Sequence, residues 1–199
     1  MTSVTLPTHR FTATDLAGMP DDGNRYELVD GALIVTPAPV PRHQRVSGRL
    51  FLALCAACPA GLEVFAAPFE VRLAPNAVVQ PDLVVVDPDA LDETGLTGPP
   101  LLAVEILSPS TRLIDLGLKK TRYELAGCPT YWAVDPGDDG GQPWIRAWEL
   151  HDGRYVQAGH SVGESAFHTH RPFEIDVVPS DLARQSGGRP PRDPGTLGA

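Results

Sequence analysis

The hydrophobic pattern of the chain changes period several times. "FTATDLAGM" predicts a short helix with Thr12 or Thr14 as its N-cap. "RYELVDGALIVTPAP" reads as two strands turning at Asp30-Gly31, the strongest short hairpin signal. In "HQRVSGRLFLALCAAC" the spacing becomes helical, with Val46, Leu50, Ala53, Leu54 and Ala57 on one face. "LEVFAAPFEVRL" is extended, and "VVQPDLVVVDPDA" and "LLAVEILSPSTR" follow as two strongly apolar strands. "LIDLGLKKTRYELAG" predicts a second helix that stops at Gly127, with Ile114, Leu118, Thr121 and Leu125 as its core side. "TYWAVDP" and "WIRAWELHDGRYVQAG" add three strands, the last two turning at Asp152-Gly153. The sum is an α+β chain: a mixed β-sheet with two main helices against it and an additional β-hairpin.

The 199 residues suit one domain over residues 11–184, between a flexible N-terminus (1–10) and a disordered Gly/Pro/Arg-rich tail (185–199). Lys plus Arg number 16 against 25 Asp plus Glu, a net charge of −9, which argues against non-specific grip on a phosphate backbone. A local basic groove remains compatible with that balance. The longest apolar run, "LFLALCAAC", falls far short of the ~20 residues a membrane span needs, and the N-terminus has no secretory h-region. The expectation is a cytoplasmic protein without membrane contact. Three cysteines cannot build a disulfide framework, and Cys55 and Cys58, at the end of a helical run, read as two small core residues.

Two acids interrupt apolar strands, Asp82 in the first and Glu105 in the second. Charged side chains are almost never buried without a partner. If the strands pair antiparallel about a turn inside "DETGLTG", Asp82 and Glu105 face each other and project to the same side. Carboxylates that close repel, so a proton or a cation must lie between them. Oxygen ligands without nearby Cys suit Mg²⁺ or Mn²⁺. A structural reading stays open: Asp82 follows Pro81 and could cap a loop, and Glu105 could pair with an Arg.

Pro81-Asp82 followed by Glu105 in an apolar strand resembles the PD-(D/E)xK nuclease superfamily. "RYELVDGALIVTPAP", "QPDLVVVDP", "VEILSPSTR" and "KTRYELAGCPTYWAVDP" are similar to its Uma-type endonuclease branch, from about Phe11 to Pro179. The resemblance implies a restriction-endonuclease-like fold and metal-dependent hydrolysis of DNA phosphodiesters. It implies that Asp82, Glu105 and the Ile106 carbonyl hold Mg²⁺ (or Mn²⁺), with a catalytic lysine alongside. Leu107 stands where the superfamily usually has that lysine, and in this branch it comes from the following helix, as Lys119 or Lys120. The Lys-x-x-x-Tyr spacing to Tyr123, and Asp115 one turn earlier, favour Lys119. Lys120 is instead expected to make a surface pair with Glu124.

Weaker candidates surround this set. Glu27 resembles a family acid but could be an outward hairpin residue, and His43 sits on the same face as Val46 and Leu50. Ser108, Ser110 and Thr111 read as a strand end and helix N-cap whose N–H groups could receive a phosphate. Arg42, Arg45 and Arg49, off the apolar face, are the best candidate strip for a DNA backbone. His168 and His170 share a strand face but show no third ligand nearby in sequence. Phe51 and Leu52 make the first helix apolar beyond one side, which a homodimer would cover. The alternative to an endonuclease is a non-catalytic or partner-dependent module that keeps the fold and binds nucleic acid or protein.

Overall fold

The computed structural model describes residues 3–5, 10–137 and 140–185. In chain order the elements are β1 (Ser3–Thr5), α1 (Ala13–Leu16), β2 (Arg25–Val29), β3 (Ala32–Thr36), α2 (Pro41–Ala57), β4 (Glu63–Ala66), β5 (Glu70–Ala74), β6 (Ala77–Val79) and β7 (Leu83–Val86). After these come β8 (Gly95–Thr97), β9 (Leu102–Ile106), a π-helical stretch (Ile114–Lys119) running into α3 (Lys120–Ala126), β10 (Thr130–Asp135), β11 (Trp144–His151), β12 (Arg154–Val162), β13 (Phe167–Thr169), β14 (Ile175–Val177) and α4 (Pro179–Ala183). The α+β expectation holds, with the strands divided between two six-stranded sheets and a separate hairpin. One sheet has the order β1-β3-β2-β6-β5-β8, the other β12-β11-β10-β9-β7-β4, and β13 pairs with β14.

Local sequence explains the turns. Asp30 and Gly31 have φ of 51° and 84°, and Asp152 and Gly153 have 48° and 75°. Two successive positive φ values match the twist of a hairpin, and Asp-Gly adopts them at low steric cost. Thr12 and Asp15 close a reciprocal capping box on α1.

The second sheet is covered on both faces, so its strands read as unbroken apolar runs. Leu83, Val85, Leu102 and Val104 pack with Val46, Leu50 and Leu54 of α2. The alternate residues Val84, Val86 and Ala103 pack with Tyr123 and Tyr131 on the other side. β7 and β9 pair antiparallel in the expected register, Leu83 opposite Val104 and Val84 opposite Ala103. β9 and β10 are parallel. The π-helical stretch and α3 provide the long crossover that a parallel pair requires.

Several expectations are corrected. "VVQPDLVVV" is two strands, β6 in the first sheet and β7 in the second, with Gln80-Pro81-Asp82 crossing between them. Proline has no N–H for a ladder, so the run breaks there. "LEVFAAPFEVRL" divides likewise, into β4 and β5 on either side of Ala67-Pro68. The β7–β9 connection is no tight turn, because it sends β8 out to pair parallel with β5. Ser3–Thr5, expected to be untethered, pairs with Leu33–Val35 at an open sheet edge. Cys55 is exposed and Cys58 half-buried, so only the latter packs against the core. The tail expected over 185–199 lies outside the described residues beyond Gln185.

The core side of the second helix is also corrected. Thr121 is exposed, and Leu118 and Leu125 are 38% and 63% exposed. Asp115, Lys119 and Tyr123 are buried instead. Asp115, Lys119 and Tyr123, spaced four apart, form one buried edge that runs from the π-helical stretch into α3. Among the described residues no helix is long and apolar enough to cross a membrane.

Candidate active site

Four carboxylates converge where the two sheets meet. Asp82 ends the crossing into β7, and Glu105 is the residue after Val104 on β9, so the paired register sets the two side by side. Glu27 comes from β2 of the other sheet and Asp115 from the π-helical stretch. All four are buried. Lys119, 2% exposed, sits among them: its Nζ is 2.7 Å from Glu27 Oε1, 3.1 Å from Glu105 Oε1 and 3.7 Å from Asp115 Oδ1. Burial disfavours its charge, yet Glu105, Glu27 and Asp115 outweigh that and hold its pKa above the ordinary lysine value. Lys119 is therefore an ammonium ion at neutral pH.

A second set of donors grips Asp82. Arg25 Nη1 donates to Oδ1 at 3.0 Å and also to the Gln80 carbonyl at 3.0 Å. His43 Nε2 donates to Oδ2 at 3.2 Å, and the Ile106 N–H reaches the same oxygen at 2.7 Å. Burial would raise the Asp82 pKa, but His43, Arg25 and the Ile106 amide bring it below the usual carboxylate range. Glu105 goes the other way. Burial is the largest cause, neighbouring Asp115, Asp82 and Glu27 add to it, and Lys119 offsets only part. Asp115 is likewise raised, to about 6, by burial against the pull of Lys119. Paired acids driven apart in this way are a pattern of functional sites.

The site opens on a cleft of about 1110 Å³, lined by Arg25, His43 and Asp82 together with Gln44, Ser47 and the 108–111 turn. Ser108 Oγ and Thr111 Oγ1 lie 2.9 Å apart and each accepts a hydrogen bond from the other residue's N–H, so this turn is a self-capped entry to the helix. Ser110 is exposed at its tip.

The expected arginine strip lies elsewhere. At ~100° per residue the positions of Arg42, Arg45 and Arg49 fall on the side of α2 away from His43, Gln44 and Ser47. Arg49 Nη1 donates to the carbonyls of Asp181, Leu182 and Arg184, clamping the end of α4. Arg42 and Arg45 border a smaller hollow beside Ala183 and Gln185. Lys120 is not paired with Glu124 either: its Nζ stands 4.9 Å over the Trp148 ring, while Glu124 contacts Arg154 at 3.7 Å. Tyr123 is buried beside Tyr131, with centroids 5.4 Å apart.

Arg25 and Asp115 were not among the site residues read from the sequence. The signal for Arg25 was its period-two spacing from Glu27, which puts both on one face of β2. Asp115 stands four residues before Lys119, and only the buried orientation of that edge makes it a site acid.

The donors suit a hard divalent cation. Four carboxylates face two permanent cations, Arg25 and Lys119, leaving an excess of two negative charges unless protons neutralise it. Glu27 Oε2, His43 Nδ1 and Tyr123 Oη are also buried without hydrogen-bond partners, so the cluster retains polar capacity. Two carboxylates plus water is a common way to bind Mg²⁺.

The whole site falls inside a match to a known family. Residues 13–177 match the Uma2 model, described as "Putative restriction endonuclease". A comparison with curated proteins found no match. The fold is similar to the crystal structure of a "putative nuclease belonging to DUF820" from Anabaena variabilis, with a TM-score of 0.66 and 16% identity, over 86% of this chain and 97% of that one. At that identity the likeness speaks for the fold, and the match to the family model covers most of the chain. The chain belongs to the Uma2 family.

Proposed function

We propose that the protein is a Mg²⁺- or Mn²⁺-dependent endonuclease that hydrolyses DNA phosphodiesters. The observation that carries this reading is an acid pair beside a buried lysine: Asp82, just before β7, is next in register to Glu105 of β9, and the Lys119 ammonium is 3.1 Å from Glu105. Asp82 and Glu105, with the Ile106 carbonyl, would hold the metal. Bound there, Mg²⁺ or Mn²⁺ supplies charge that polarises a phosphodiester and acidifies water.

The protein's own groups do the rest. Arg25 and His43 keep Asp82 ionised, so it stays a ligand at neutral pH. Lys119 opposes the desolvation of Glu105 and Asp115 and remains protonated, which suits it to orient water or balance developing charge rather than to take a proton. Arg25, one-fifth exposed, lines the cleft and would meet a phosphate there. The 108–111 turn, with Ser108 and Ser110, is a second contact candidate. Leu52 is 67% exposed on α2 and is the apolar side chain a homodimer would cover.

The test is thermal unfolding of untagged protein with Mg²⁺ or Mn²⁺, beside cleavage of supercoiled DNA. Metal should stabilise the wild type, by about 2.7 kcal/mol at a hundredfold excess over its Kd. Glu105→Gln should lose that shift and the cleavage while folding normally. Equal shifts in both proteins would put the metal elsewhere, and metal binding without cleavage would favour a non-catalytic module.

A further inference from the structure

The β13–β14 hairpin carries a second constellation that takes no part in the acidic site. Its inward residues, Phe167, Phe173, Ile175 and Val177, join the core under Trp132. The alternation leaves His168, His170, Glu174 and Asp176 exposed on the outer face. His168 pairs across the hairpin with Asp176, and Thr169 with Ile175, so His170 and Glu174 come next in register beside the turn. Four potential ligand or partner side chains thus form a rectangle on a backbone anchored from beneath. Phe173 holds the turn down, and Thr169 Oγ1 accepts the Arg171 N–H at 3.2 Å.

The imidazoles are arranged as ligands. His168 Nδ1 contacts Asp176 Oδ1 at 2.8 Å. A carboxylate there selects the tautomer with the proton on Nδ1, leaving a lone pair on Nε2. That Nε2 lies 3.2 Å from His170 Nε2. Two nitrogens each ~2.05 Å from a tetrahedral zinc ion are separated by roughly 3.3 Å. A ligand atom of Glu174 completes a trio lying within 4.8 Å of one another, and rotation of this exposed side chain can close the remaining distance. Arg171, the nearest competing cation in sequence, is turned to Glu149, with Nε 3.6 Å from Oε2.

We propose that His168, His170 and Glu174 form a binding site for a divalent transition metal, Zn²⁺ in the first instance, with Asp176 orienting His168. Two imidazoles and one carboxylate favour zinc over the magnesium suited to the all-oxygen site. The metal joins both strands of the hairpin across its turn and keeps a fourth position open to water or an external ligand.

The experiment is titration of untagged protein with ZnCl₂ against a chromogenic chelator, in wild type and in an Asp82→Asn/Glu105→Gln background that disables the acidic site. The background protein should bind one equivalent of Zn²⁺. His170→Ala or Glu174→Gln, both changes at exposed positions, should weaken binding at least tenfold and abolish the zinc-induced rise in Tm. Asp176→Asn should weaken it roughly ten- to a hundredfold while leaving the stoichiometry unchanged. Matching Tm values in EDTA would show that these variants fold. Unchanged zinc affinity in His170→Ala and Glu174→Gln, or no binding by the background protein at tens of micromolar ZnCl₂, would overturn the site and leave an imidazole–imidazole hydrogen bond in its place.

Discussion

Lys119→Met removes a charge while nearly keeping the side chain's length. The ammonium is 2% exposed and contacts Glu27 at 2.7 Å and Glu105 at 3.1 Å, with Asp115 at 3.7 Å. Deleting one partner of a buried ion pair costs about 3–5 kcal/mol, because the other charge is left unpaired. The acids can escape that cost only by taking up protons. Glu105 and Asp115 already have raised pKa values with Lys119 present, and without it both rise further. An acid raised in the folded state contributes stability that is present below its unfolded pKa of about 4 and lost as pH climbs through the folded value. The variant should therefore trail the wild type by about 3–5 kcal/mol at pH 8. The deficit should shrink towards pH 5, by up to ~1.4 kcal/mol per pH unit for each added proton. Urea unfolding in EDTA at the two pH values, read by tryptophan fluorescence, measures this directly. A deficit below about 1 kcal/mol at pH 8, or one that does not change with pH, would refute the charge-cluster account. On the nuclease reading, cleavage is lost but Mn²⁺ still stabilises the variant, since Asp82 and Glu105 remain.

Other perturbations address separate parts of the structure. Asp115 has its folded pKa near 6, so Asp115→Asn should stabilise the metal-free protein at pH 7.5, by up to ~3 kcal/mol, and the gain should vanish below pH 4; no gain in denaturant midpoint at pH 7.5 would contradict the burial cause. Lys120→Ala should cost about 0.5–1 kcal/mol through its lost contact with the Trp148 ring and, on the nuclease reading, leave most DNA cleavage intact. Gly95→Ala places a Cβ 2.3 Å from the Glu70 carbonyl oxygen at a φ of 147°. It should cost at least ~2 kcal/mol and lower Tm, because backbone on both sides must move.

The parts of this fold that follow local rules were open to reading from the chain. The two Asp-Gly hairpins and the α2 stripe of Val46, Leu50 and Leu54 each depend on a few neighbouring residues, and the β7–β9 register came out as expected although the connection through β8 is not the turn the expectation assumed. That register put Asp82 beside Glu105, and the Lys-x-x-x-Tyr spacing selected Lys119 over Lys120. What escaped depends on partners far along the chain. Nothing near Arg25 shows that it will reach Asp82, and nothing near Arg49 shows that the carbonyls of α4 will take its guanidinium. The expected core side of this helix followed its apolar residues, whereas the buried edge carries Asp115 and Lys119, whose burial depends on Glu27 and Glu105 elsewhere in the chain. His168 and His170 lacked a visible third ligand because Glu174 returns only across the hairpin turn.

The crossing at Gln80–Asp82 also bears on when the site comes into being. Its ionic groups are drawn from both sheets and from the π-helical stretch, between Arg25 and Lys119. Any partial assembly would bury some of these charges without their partners, so the cluster is disfavoured until nearly all of it is present. A chain still emerging from the ribosome, before Lys119 has been made, should therefore lack the assembled centre rather than hold a weaker one. On the nuclease reading, cleavage would then be a property of the finished tertiary structure, and half-built copies would lack it by construction.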